Sequence, residues 1–293
     1  MRLVHRLCGA AILVLVLAAL GPPAAAQVPT DSAHAPSHLA VHLPRFIPFF
    51  HHRHQAGRAP SAEPDSTVLL RVETGYDGNF DSPELDRDET TTFNVDVTPN
   101  SSFELQGDID FWALERAPAA GAVRGRGDAH VNLQWTAFKV DSGRVAVAIA
   151  YIAKIPAANQ PTLGTGLVDH RVIAPVSIRI AGVEVDAYAG VDADAIPGGF
   201  DWGGEGGLSA TVALSKALQV HGGASGQTVD TDQPAGGYIS GGISWQARPL
   251  VTLDIGGRIG ITSGTPDYGL IAGVSAAFIT RKPSASAARA VRR

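Results

Sequence analysis

Asp108, Asp110, Asp128 and His130 come nearest, in type and spacing, to residues that could do hydrolytic chemistry. Held on neighbouring strands, a carboxylate and an imidazole can orient and deprotonate a water. Each pair, however, is spaced by two, the repeat of a strand face. Glu104 and Gln106 precede the first pair on the same parity, and Asn132 and Gln134 follow the second. A strand that is polar on one face all along its length reads more simply as the wall of a polar cavity than as a catalytic centre. No Gly-x-Ser-x-Gly, His-Glu-x-x-His or phosphate loop accompanies these residues. No enzyme activity and no cofactor are expected, with a lumen-facing Asp/His hydrolase kept as the alternative.

A second candidate chemistry is metal capture by His51, His52 and His54, with His34, His38 and His42 nearby. Imidazole suits Zn, Cu and Ni. The spacing matches no structural zinc pattern, and neither cysteine nor a suitable acidic ligand is close by, so no metal site is expected. Residues 27–63 are rich in Pro and His and keep no sustained period, which predicts a disordered periplasmic arm.

The elements that must carry the polar faces are strands. In RPLVTLDIGGRIGIT, residues 248–262, Val251, Leu253, Ile255, Ile259 and Ile261 share one parity, while Thr252, Asp254 and Arg258 share the other. The same alternation opposes Arg71 and Glu73 to Val68, Leu70 and Val72, and Glu104, Asp108 and Asp110 to Phe103, Leu105 and Ile109. Lys154 ends a further strand, Arg171 and Arg179 lie on one face of the next, and Glu184 and Asp186 on one face of the strand after it. About twelve such segments follow Thr67, each close to the length of a tilted membrane strand. Tight turns such as Asp141-Ser142-Gly143 and Ala181-Gly182 alternate with longer links such as ERAPAAGAVRGRG and IPGGFDWGGEGG, where Glu205 reads as part of a flexible loop. An even strand number with this alternation predicts an up-and-down antiparallel transmembrane β-barrel. Its polar parity is then the lumen, because a charged side chain facing lipid at mid-depth is costly.

The ends agree. Arg2 and Arg6, an apolar run from Ala10 to Leu20, and Ala24 to Ala26 read as a secretory signal cleaved near Ala26. The predicted organisation is residues 1–26 signal peptide, 27–63 arm, 64–280 barrel and 281–293 basic tail. Cys8, the single cysteine, lies in the leader, so the mature chain carries no disulfide. A net charge of −5 is too mild to imply a nucleic-acid partner, and none is expected. Pro175, in mid-strand, is expected to sit at a bulge.

The segment from Gly127 to Ile180 resembles the outer-membrane transporter family of the phenol meta-cleavage pathway. The shared features are Gly127-Asp128, Lys154-Ile155-Pro156 and the Gly-rich loop Gly164-Thr165-Gly166. LSKALQVHGGASG and ARPLVTLDIGGRIGITSGTPDYGLIAGVSAAF are similar to that family's last hairpins. The resemblance spans roughly residues 65–280 and implies an outer-membrane barrel that transports aromatic or other hydrophobic compounds. The sequence departs from it where Phe278 is followed by a basic tail rather than ending the chain.

The reading is a passive channel in the bacterial outer membrane of a Gram-negative cell. Its partners are outer-membrane lipid, a small-molecule solute and the outer-membrane assembly machinery. A non-transporting structural or surface-interaction barrel is the other alternative. Arg71, Glu73, Glu104, Asp108, Asp110 and His130 should line the solute pathway on the first strands, and Lys154, Arg171, Arg179, Glu184, Asp186, Asp254 and Arg258 on the later ones. Trp112, on the lumen parity of its strand, is expected to contact solute; Trp135, Tyr151, Trp202 and Trp245 are candidates for the interfacial girdle.

Overall fold

The computed structural model describes Ser61 and residues 68–80, 87–117, 121–140, 144–228, 236–262 and 265–280. The signal peptide, the His cluster at positions 51, 52 and 54, the tail after residue 280 and all of the expected arm except Ser61 lie outside the described residues.

Alternating side chains become strands wherever the predicted period was found. The strands are β1 (Val68–Phe80), β2 (Arg87–Asn100), β3 (Phe103–Ala117), β4 (Gly121–Gly125), β5 (Ala129–Val140), β6 (Val145–Ile155) and β7 (Asp169–Ile180). They continue as β8 (Val183–Ile196), β9 (Gly199–Ala213), β10 (Leu218–Gln227), β11 (Gly236–Arg248), β12 (Val251–Gly260) and β13 (Tyr268–Thr280). Every pairing is antiparallel. Apart from the short β4, which pairs only with the far end of β3, each strand pairs with its neighbours in the chain, and β13 returns to β1. The result is a closed barrel of twelve strands. Closure leaves no sheet edge, so the backbone ladder can sit in hydrocarbon with its N–H and C=O groups paired.

Two faces follow from the period. On β5, His130, Asn132, Gln134 and Thr136 are buried, whereas Val131, Leu133 and Trp135 point out and are exposed. On β12, Asp254 and Arg258 are 6% and 2% exposed, while Ile255 and Ile259 are 56% and 62% exposed. Such an outer belt would be a very large apolar patch in water; lipid is the solvent that removes the cost. Aromatic rings mark both borders of the belt. Phe103 stacks on Trp135 near the rim that carries the termini, and Phe80 on Tyr268 near the opposite, loop-bearing rim. Trp202 and Trp245 are outward and exposed, as the girdle reading expects.

Three local expectations are corrected. IPGGFDWGGEGG is not a long link: β9 begins at Gly199, one residue past a turn at Pro197 and Gly198, so the chain's long-short alternation is broken here. Glu205 is therefore a strand residue of β9 and not part of a loop. Pro175 makes no bulge: Val147↔Val176 and Ala150↔Ile173 keep one register on the β6 side, and β8 pairs through Pro175 without a shift. The missing N–H is absorbed as a short gap in the ladder with β6, between those two pairs.

The face assignment can be tested on adjacent residues of β12. Ile255→Arg, pointing into lipid near mid-strand, should destabilise the folded barrel by about 2–4 kcal/mol, as for arginine at a bilayer midplane. Asp254→Asn, facing the lumen, should cost less. Urea unfolding of both variants in lipid vesicles measures the difference; the reverse order would invert the inside and outside assigned here.

Candidate functional site

Strand register gathers residues distant in sequence into rows across the inner wall. One row runs Glu73, Asn94, Asp108, His130, Lys154, Asp169 across β1, β2, β3, β5, β6 and β7. Within it, Glu73 and Asn94, Asp108 and His130, and Lys154 and Asp169 pair side chain to side chain. Asn94 Nδ2 donates to Glu73 Oε2 at 3.3 Å and to Asp96 Oδ1 at 3.1 Å. His130 Nδ1 lies 2.9 Å from Asp108 Oδ1, and Lys154 pairs with Asp169. Thr92 donates to Asp110 at 2.6 Å and Asn132 to Gln106 at 3.4 Å in the neighbouring rows. The two pairs that suggested hydrolysis thus meet, with His130 held by Asp108, on a wall of further polar pairs. Glu104 is buried on the same wall, and Arg71 stands 3.8 Å from Glu73.

The remaining predicted lumen residues also turn inward. Arg171 sits between Asp192 and Glu205, and Asp186 accepts a 2.6 Å hydrogen bond from Ser177. Arg179 and Glu184 pair at 3.2 Å at the rim that carries the termini, where Arg179 is largely exposed. Arg258 donates to Asp77 and Asn79 on β1 and lies 5.4 Å from the centre of the Tyr238 ring. It reaches β1 by crossing over Gly269 of β13. A Cβ at Gly269 would come within 2.8 Å of Arg258 Cγ and Nε, so only glycine leaves that path clear. Carboxylates outnumber the cations on the wall. Against them, Ala146, Ala148, Ala150, Ile152 and Ile173 form a small apolar stripe on β6 and β7 that the polar reading of the lumen missed. Its signal was present in the alternate alanines of VAVAIAYIAKI.

Trp112 departs from its predicted place. The β2–β3 register shifts between Thr91 and Thr92, so that Phe111 is the extra residue and Trp112 stands opposite Thr91 instead of continuing the parity of Asp110. Thr91 in turn faces Tyr76, the outward parity of β1. One inserted residue moves the side chain across the sheet, and Trp112 is removed from the lumen set.

At the loop-bearing mouth, residues 156–168 fold back onto the wall, and their anchor is Asp128. Asp128 Oδ1 accepts the backbone N–H groups of Ala157 and Ala158, both at 3.0 Å. Lys154 Nζ lies 3.9 Å from Asp128 Oδ2 and donates to Thr165 Oγ1 at 2.8 Å. Gly164 packs so closely that a Cβ would meet the Asp128 carboxylate at 2.6 Å. Arg126 adds a bond from Nε to Ala157 O, and Asn159 Oδ1 accepts the Arg126 N–H. Leu163, within this loop, is 1% exposed and packs against Gly125. Asp128, Lys154 and Gly164-Thr165, separate motifs in the chain, are therefore one structural device.

Removing the acceptor should release the loop. In Asp128→Ala, hydrogen exchange at the Ala157 and Ala158 amides should accelerate roughly tenfold or more, as expected for lost bonds to a charged group. Protease nicking within 156–168 should rise, while the barrel stays heat-modifiable on gels. Unchanged exchange at both amides would show that other contacts hold the loop.

No family model and no curated protein matches the chain. Among solved structures, it is similar to the NanC porin, with 12% identity and a TM-score of 0.51, covering 71% of this chain and 100% of that one. It is also similar to the translocator domain of the autotransporter NalP from Neisseria meningitidis, with 11% identity and a TM-score of 0.47 over 73% and 90% of the two chains. The CymD monoaromatic hydrocarbon channel aligns at 9% identity and a TM-score of 0.45 over 72% and 89%. At these identities the likeness concerns fold: the structural neighbours of this chain are outer-membrane β-barrels.

Proposed function

We propose that this protein is a passive channel of the bacterial outer membrane that conducts small solutes and prefers cations. One observation carries the reading: the closed barrel has an inner wall that is polar along its length, on which carboxylates outnumber lysine and arginine. A bore of this sign, with low-dielectric walls around it, concentrates cations and repels anions. The apolar stripe on β6 and β7 gives the same bore a surface for a hydrophobic group, which supports small organic solutes as cargo. The resemblance of residues 127–180 to transporters of the phenol meta-cleavage pathway points to aromatic compounds among them. The apolar outer belt between two aromatic borders supports insertion in the outer membrane through the assembly machinery, after export by the N-terminal signal.

The His130–Asp108 pair supports a second reading as an outer-membrane hydrolase. That pair lies among further acids, and the hydroxyl of Thr92 on β2 is already engaged with Asp110. We read these residues as lumen scaffolding.

In planar bilayers, the refolded protein should conduct, and the reversal potential in a KCl gradient should take the sign of cation preference. Asp108→Asn with Asp110→Asn should shift that potential toward zero, since two carboxylates leave the wall. Anion preference in the parent, or no conductance from properly heat-modifiable protein, would refute the channel reading. Ester or peptide turnover that disappears in Asp108→Asn/His130→Ala would establish the hydrolase instead.

A further inference from the structure

At the loop-bearing rim the outer face of the barrel carries charge beside its aromatic border. Phe80 of β1, stacked on Tyr268, marks that border. Arg87 of β2 stands directly opposite Phe80, and its guanidinium lies 5.6 Å from the centre of the Phe80 ring, so Arg87 is at the height of the border. Arg116 of β3 is directly opposite Arg87. Arg124 of β4 is opposite Leu114, which shares a face with Arg116 two residues on. Register thus gathers three arginines on one outward face of three successive strands.

Like charges placed opposite one another across a sheet repel, so such a face needs compensating anions. Glu89, 3% exposed on the same face, pairs with Arg87. Arg116 and Arg124 are exposed, and neither has an ion pair among the described residues. Ala122, opposite Arg116, adds only a methyl group between them. Two guanidinium groups therefore stand ready for an anion that the described chain does not supply.

The residues below them indicate which anion. From the rim toward mid-membrane the outward face of β3 runs Arg116, Leu114, Trp112, Ile109, and Phe93 of β2, 40% exposed, stands opposite Ile109. Cations above an apolar column have the polarity of a lipid, with an anionic headgroup over hydrocarbon. A free phosphate would gain nothing from the column. Arginine grips phosphate through paired N–H bonds, and basic side chains at the surface are drawn to anionic lipid. We propose that Arg116 and Arg124, with Arg87 beside them, hold the phosphate of a phosphorylated lipid in the leaflet at the loop-bearing rim, its acyl chains lying along β2 and β3. Binding at this face rests on the outer-membrane reading and not on conduction.

Phosphatidic acid is the probe. In native mass spectra of the refolded barrel released from detergent micelles, the parent should carry phosphatidic acid at concentrations where phosphatidylcholine does not bind. In Arg116→Gln/Arg124→Gln the apparent affinity should fall about tenfold or more, as for the loss of charge-assisted bonds. Arg116→Lys/Arg124→Lys, which keeps the charge but not the paired geometry, should fall in between. Arg144→Gln/Arg248→Gln, which removes exposed arginines from the opposite rim, should bind as the parent does. If the glutamine pair fails to fold, Arg124→Gln alone, on the short β4 outside the closed ring, should lower the affinity in the same direction. An equal loss in the opposite-rim variant, or no phosphatidic acid on a heat-modifiable parent, overturns the site. Displacement of the lipid by equimolar inorganic phosphate would leave an anion site and overturn the lipid assignment. A parent that can be stripped from vesicles by alkaline carbonate removes the membrane reading, and the lipid site with it.

Discussion

The whole structure depends on satisfying backbone hydrogen bonds without water. In hydrocarbon each unpaired N–H or C=O costs several kcal/mol, so the sheet must close and its register must hold through the depth of the bilayer. Register slip is doubly costly here, since one residue of slip moves every carboxylate into lipid. The irregularities lie where this constraint is weakest. The shift beside Thr91 is toward the loop-bearing rim, and those at Thr136/Phe138 and Gln246/Arg248 are toward the rim with the termini. Pro175, farther inside, leaves register intact and gives up bonds on one side only.

Closure also explains the two-sided interior. Lumen residues face one another across a narrow bore, so the composition of one wall matters to the opposite one. Several acids of β1 and β3 keep a partner within their own row, as Glu73 with Asn94, Asp108 with His130 and Asp110 with Thr92. The cations are distributed differently: Lys154, Arg171 and Arg258 each join residues from two or more strands near the loop-bearing half. Lys154 does so where the mouth loop is anchored, and Arg258 does so across the seam between the first and last strands.

The faces were legible because period-2 alternation is a local property: the parity of Asp254 and Arg258 against Ile255 and Ile259 can be read from a dozen residues. The register was not legible, because a bulge is decided by the partner strand, and Phe111 carries no mark that it is the inserted residue displacing Trp112. The first half of β9 was hidden for another reason. FDWGGEGG has the composition of a loop, and its glycines become a strand because β8 pairs with it along its whole length and β10 joins from Glu205 onward. The convergence of Asp128, Lys154 and Gly164 depends on a hairpin and a folded loop together, so the chain shows three motifs and the structure one anchor.

Arg258 bears on time as well as on stability. Its partners Asp77 and Asn79 lie 181 and 179 residues away in the chain, and the bond crosses the β1–β13 seam through the space left by Gly269. The seam joins the first strand to the last, so it is the most non-local contact in the molecule and cannot exist until synthesis and export are complete. Loop-closure entropy grows only slowly with length, but it is unrewarded until the ends meet. Until then β1 and β13 are open edges, each able to pair with another chain. The guanidinium that grips both side chains of β1 from β12 secures the final step, so its absence would be felt first as prolonged exposure of two unpaired edges during assembly, before any effect on the finished pore.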